Sequence, residues 1–261
     1  MGRPRLIIRS GQDYQDFSGK EGFLKGWFIT GTDTGIGKTL IASGLIRALV
    51  QTGIRVTAMK PVAAGSVERS GVEIWEDVDA LSRAASVNFP DEFCSPYRFR
   101  LPVAPHLAAK IEGIRMDMGV LQEALTVLGK ESDRVVVEGV GGLMVPFNDG
   151  LTMADVALLM GLPVILVVGI RLGCINHALL TYEAIVKRQI PLCGWIANML
   201  DPDMLVADEN VDSISELLGC PPLIRVPRLA HLDLEPPGNW VNTLAAEDRM
   251  NWIHRLIEGQ E

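Results

Sequence analysis

Residues 31–39 read GTDTGIGKT. Glycines followed by Lys38 and Thr39 are the residue types that hold a polyphosphate. Backbone N–H groups line the turn, the ammonium reaches the outer phosphates, and the hydroxyl can hold Mg²⁺. The usual spacing G-x-x-x-x-G-K-[ST] would put the first glycine at position 32. That residue is Thr32, and the glycine is Gly31. The loop is therefore one residue longer, which brings Asp33 and Thr34 into its mouth. A hydroxyl beside a γ-phosphate suits an acceptor other than water.

Three further positions carry related chemistry. Glu138, in VVVEGVGG (135–142), ends an apolar run, where a phosphate-loop protein commonly places an acid for its metal. Asp79, in EDVDALSRA, is a second candidate acid. A helix N-cap explains it equally well, and Asp77 competes with it. Lys60, in AMKPVAAGS, leaves another apolar run, where its ammonium can stabilise charge on a transferring phosphoryl group and an anionic acceptor. In GIRLGCINHALL (169–180), Gly173 to Asn176 are expected to open a helix whose free N–H groups suit a carboxylate. No His and Asp pattern makes Cys174 a nucleophile, so it reads as packing or substrate lining, and His177 as structural.

These residues need elements that bring them to one crevice. Short apolar runs recur at 27–31, 56–62, 135–142, 164–170, 194–199 and 222–227. Most lack alternation, as in strands covered by helices on both faces. TLIASGLIRALVQTG (39–53) reads as a helix starting at or just after Thr39 and closed by Gly53; NHALLTYEAIVKRQ reads as another. The expected fold is a single α/β domain with a doubly wound, mostly parallel sheet: a P-loop NTPase with a lengthened phosphate loop. Its bounds are residues 25–261, after an N-terminal extension of residues 1–24. Ligands in such sheets gather beyond the carboxyl ends of the strands.

Composition agrees. Of 261 residues, 48% are hydrophobic and 21% charged, which supports a large core. A net charge of −8 argues against nucleic acid as a partner. The four cysteines form no C-x-x-C pair, so neither a zinc site nor a redox pair is expected, and most read as buried small hydrophobes in a reducing compartment. The start of the chain has no signal-peptide pattern, and the 15-residue uncharged run from Val156 to Ile170 is too interrupted to span a membrane. A cytoplasmic protein is the expectation.

Taken together, TGTDTGIGKT, KPVAAGS, VEGVGG, ILVVGIRLGCINHALLT and GWIAN resemble the dethiobiotin synthetase family, from Trp27 to the 230s. The resemblance implies an ATP-dependent ligase with Mg²⁺ as cofactor. 7,8-Diaminononanoate takes up CO₂ as a carbamate, the carbamate attacks the γ-phosphate, and the second amine closes a cyclic urea. It further implies that Gly35, Ile36, Gly37, Lys38, Thr39 and Leu40 enclose the phosphates, and that Thr39, Asp79 and Glu138 hold Mg²⁺. Lys60 would be catalytic beside Lys38, with Thr34 near the carbamate. Gly139, Val140 and Gly141 would contact nucleotide or substrate. Asn198 and Met199, with Pro227, Arg228, Leu229 and Glu235, would hold adenine. The family works as a homodimer, with the substrate carboxylate held by Gly173, Cys174, Ile175 and Asn176 of the opposite subunit. Two departures stand out. Ala64 replaces a serine that touches substrate in some members, with Ser66 as a possible substitute, and Gly35 replaces a glutamate.

A competing reading is an ATPase switch of the plasmid-partition or septum-positioning type. Those proteins often carry a further lysine early in the loop, absent from GTDTGIG, and a C-terminal membrane helix, which NWIHRLIEGQE does not resemble.

Overall fold

The computed structural model describes residues 25–229 and 236–258. The N-terminal extension and Glu235 lie outside the described residues. Among the described residues ten strands form: β1 (Gly26–Gly31), β2 (Val56–Met59), β3 (Val62–Ala64), β4 (Val67–Arg69), β5 (Val72–Ile74), β6 (Tyr97–Phe99), β7 (Arg134–Glu138), β8 (Val164–Ile170), β9 (Leu192–Met199) and β10 (Ile224–Val226). The main helices are α1 (Lys38–Gln51), α2 (Glu76–Ala84), α3 (Asp91–Cys94), α4 (Pro105–Glu112), α5 (Met118–Glu131), α6 (Met153–Met160), α7 (Cys174–Lys187), α8 (Ala207–Leu218) and α9 (Ala246–Glu258).

Six strands make one sheet in the order β10-β9-β8-β1-β7-β2. Every pairing in it is parallel. The unalternated apolar runs have the expected cause, because both faces are buried. Trp27 and Ile29 face one core layer with Ile41, Leu45, Trp240 and Trp252, while Phe28 between them faces the other with Leu121, Leu128 and Val135. Because β8 and β7 flank β1, the loop leaving β1 lies between the ends of both.

The expected strand at 56–62 is divided. β2 ends at Met59, and the N–H of Lys60 then bonds to the carbonyl of Cys94 at 2.7 Å. Pro61 has no N–H to continue a ladder, and β3 pairs with β6 instead of the main sheet. The run at 135–142 likewise stops at Glu138, where the chain turns into the glycine-rich segment. β9 starts two residues before the expected 194. α1 starts at Lys38, one residue earlier than anticipated. It ends with Thr52 as its cap and Gly53 in the left-handed conformation just beyond, the position that favours glycine.

A β4–β5 hairpin and a parallel β3–β6 pair, neither foreseen from sequence, lie outside the main sheet. On the opposite layer a 3-10 helix (Asn239–Thr243) and α9 cover α1: Trp240 donates its indole N–H to the Leu40 carbonyl at 2.8 Å, and Trp252 lies 6.0 Å from it, centroid to centroid. Among the described residues, no helix is long and apolar enough to cross a membrane.

Candidate active site

The phosphate loop runs from the end of β1 into α1. Two glycines explain its shape. A Cβ on Gly31 would lie 2.5 Å from the Ile36 side chain and 3.2 Å from that of Lys38. The longer loop folds back over the strand end, so glycine is needed there and not at position 32. Gly37 has φ 89°, and a Cβ on it would meet the Asn198 amide at 2.3 Å. That amide donates to the Ile36 carbonyl at 2.8 Å. Asn198, at the end of β9, is thus buried beneath the loop and braces it. Ile36 is buried, Thr34 and Gly35 are exposed, and Leu40 is half-buried.

Lys38 is 6% exposed and donates to the Asp33 carbonyl at 2.7 Å. Burial, reinforced by the nearby Lys60 charge, pushes its ammonium down to about 8, against the pull of Glu138 and Asp33. Thr39 donates its hydroxyl to Glu138 Oε1 at 2.9 Å. The same oxygen receives Lys60 Nζ at 2.6 Å. Lys60 also reaches the Gly139 carbonyl at 3.2 Å and Asp77 Oδ2 at 3.0 Å. Burial alone would push the Lys60 ammonium down, but the Glu138 and Asp77 carboxylates outweigh it and hold it above the ordinary lysine range. Lys38, Thr39, Lys60, Asp77 and Glu138 therefore converge beyond the ends of β1, β2 and β7.

Asp79 is not part of this cluster. It lies 3.5 Å from Arg83 on an exposed face of α2. The N-cap reading does not apply either, because α2 is capped by Trp75 and Asp79 lies within its first turn. The helical period decides between the two acids. Leu81 and Ala84 are the buried positions of α2, and Asp77 stands four residues before Leu81 on the same stripe, whereas Asp79 is turned away. That spacing was available in the sequence.

The remaining expected residues divide. Gly139, Val140 and Gly141 directly follow Glu138 in the crevice wall. Met199 is half-buried beside Asn198. Pro227 and Arg228 are exposed and Leu229 is half-buried just past β10, with the Arg228 guanidinium bonded to the Leu200 carbonyl. α7 opens at Cys174 with Gly173 as its N-cap; Gly173 and Asn176 are exposed, Ile175 is half-buried, Cys174 is buried, and His177 is exposed. Ala64 lies in β3, half-buried. The Ser66 hydroxyl is already used, donating to Glu73 at 2.7 Å.

Glu138 Oε2 is buried without a hydrogen-bond partner. A buried carboxylate oxygen beside a threonine hydroxyl and a second acid suits a hard divalent cation such as Mg²⁺, which takes oxygen ligands and keeps waters.

Residues 25–236 match the family model AAA_26, described as an AAA domain. The chain belongs to this AAA-domain family. Solved structures similar to this family member include a ParA family ATPase from Chlorobium tepidum TLS, at 16% identity and TM-score 0.54, covering 89% of this chain and 99% of that one. The septum site-determining protein MinD from Pyrococcus horikoshii OT3, solved with Mg-ADP, matches at 16% identity and TM-score 0.55, over 90% and 96% of the two chains. MinD from Aquifex aeolicus matches at 15% identity and TM-score 0.55, over 90% and 97%. At these identities what is shared is the fold. The AAA-domain chain is a P-loop NTPase with a mostly parallel sheet flanked by helices.

Proposed function

We propose that this protein binds MgATP and catalyses a ring-closing ligation of the dethiobiotin synthetase type. The observation that carries the reading is Lys60: a second, almost fully buried ammonium held 2.6 Å from Glu138, within the Coulomb field of Lys38. In the ATPase switches the further lysine sits early in the phosphate loop, whereas Lys60 stands in the crevice wall just past β2. A second cation in the wall suits a reaction in which the acceptor is also an anion. The AAA-domain family also takes in dethiobiotin synthetase.

Each residue then has a task. Lys38 and the loop N–H groups hold the phosphates. Thr39 and Glu138, with Asp77 in the place expected for Asp79, would hold Mg²⁺. When bound, the ion supplies charge neutralisation on the phosphate oxygens. Lys60 lies beside the transferring phosphoryl group and orients the carbamate formed from 7,8-diaminononanoate and CO₂. Thr34, exposed in the lengthened part of the loop, faces that acceptor. The carbamate oxygen forms a bond to the γ-phosphorus, and the bond to ADP breaks. The second amine then attacks the carbamoyl carbon, phosphate leaves, and one proton is released. Gly173 to Asn176 would hold the substrate carboxylate across a homodimer interface.

The test is turnover of MgATP with bicarbonate and 7,8-diaminononanoate, with dethiobiotin, ADP and phosphate quantified together. Equal amounts are expected. ATP hydrolysis indifferent to the diamine would sink the proposal. The likeness to ParA and MinD favours a second reading, an ATPase switch. On that reading, turnover would respond to DNA or membrane instead. The apolar side chains Trp252, Ile253 and Leu256 of α9 are 0–1% exposed, so that helix has spent its apolar face inside the protein.

A further inference from the structure

Asp33 puts a carboxylate in the mouth of a loop whose ligand is a polyanion. Its Oδ1 accepts the Thr34 N–H at 2.7 Å, and its carbonyl accepts Lys38 Nζ. The side chain therefore shapes the lengthened segment, but its charge opposes incoming phosphates. Arg171 answers that charge. It follows directly on β8, the neighbour of β1, and its Nη2 lies 2.5 Å from Asp33 Oδ2. The two side chains are 46% and 42% exposed, so this ion pair adds little to folding stability. Its position gives it another use. We propose that Arg171 is a positioning residue that neutralises Asp33, so that the loop keeps the carboxylate's hydrogen bond to Thr34 without its repulsion of bound phosphates.

The proposal requires only that a nucleoside triphosphate occupies the loop. It goes beyond the ligase reading and survives if the diamine assay fails. The experiment is calorimetric titration of the full chain with magnesium ATPγS at low and high salt. Arg171→Ala is expected to bind about three- to tenfold more weakly at low salt, the scale of one unscreened like charge near the phosphates. The deficit should shrink towards parity near ~0.5 M salt, where exposed charges are screened. Adding Asp33→Asn to Arg171→Ala should restore affinity to within about twofold of the parent, because the charge to be neutralised is gone. Arg171→Lys should retain most of the binding. The proposal is overturned if Arg171→Ala binds as the parent does. It is equally overturned if the double variant is no tighter than Arg171→Ala, since Arg171 would then act on phosphate directly or by packing alone.

Discussion

At the residue scale the centre of this protein is one carboxylate oxygen. Glu138 Oε1 receives both the Thr39 hydroxyl and the Lys60 ammonium. Removing Lys60 leaves a buried acid with one fewer partner and takes the second cation out of the wall. Lys60→Ala is expected to keep ADP affinity within a few-fold and to lose diamine-dependent turnover by about 100-fold or more, the cost of one lost charge stabiliser in a transition state. Comparing calorimetric ADP binding with kcat checks the split; unchanged turnover would reduce Lys60 to a strand-end lysine. The two acids of α2 give a paired prediction. Asp77→Asn should lower turnover at least about tenfold, because Asp77 contacts Lys60. Asp79→Asn should change stability by no more than about 0.5 kcal/mol, as for an exposed i,i+4 pair, and leave kcat alone. The reverse ranking in steady-state assays would return Asp79 to the metal site.

At the scale of elements, the glycine-rich segment after Glu138 must be delivered back to the sheet, and α6 anchors it. Asp155 in its first turn accepts both the N–H and the hydroxyl of Thr152, each at 2.7 Å, and Arg188 of the segment after α7 at 3.0 Å. Burial raises the pKa of this carboxyl, but the Thr152 bonds and Arg188 outweigh it and hold it below the ordinary aspartate range. A carboxylate with a depressed folded-state pKa stabilises the fold above its unfolded pKa. That contribution is lost as pH falls through the folded value. Asp155→Ala should therefore cost about 1 kcal/mol at neutral pH, the size of a lost helix cap. The gap to the parent in urea unfolding should close in acid, below pH ~4, near the unfolded pKa of aspartate. A gap that stays constant down to the acid limit would mean the side chain acts by packing.

For the molecule as a whole, the phosphate site is stabilised from behind. α1 carries Lys38 and Thr39, and its far side is covered by residues 236–258 through Trp240, Trp252 and Leu256. Trp252→Ala should destabilise the protein by about 3–5 kcal/mol, as for other buried aromatic truncations. Saturating nucleotide should recover part of the lost melting temperature by mass action. If the variant melts within a degree or two of the parent, the C-terminal segment does not support the site.

Sequence by itself determined which strands carry chemistry. Unbroken apolar runs ending in G-K-T, Lys60 and Glu138 are local patterns, and a parallel sheet can place such ends only along one edge. The helix start at Gly173 and the left-handed glycine that closes α1 at Gly53 were legible for the same reason. The tertiary structure decided what distance along the chain conceals. Gly31, not position 32, is the glycine because the loop folds back onto it. Asn198 braces Ile36 across 162 positions. Arg171 reaches Asp33 across 138. The choice of Asp77 over Asp79 lies between these cases. The stripe through Leu81 and Ala84 was in the sequence, but it gained meaning only once the buried side of α2 was known to face Lys60. A side chain's partner depends on which strands become neighbours, and neighbours are chosen by packing of the whole core, which no short motif records.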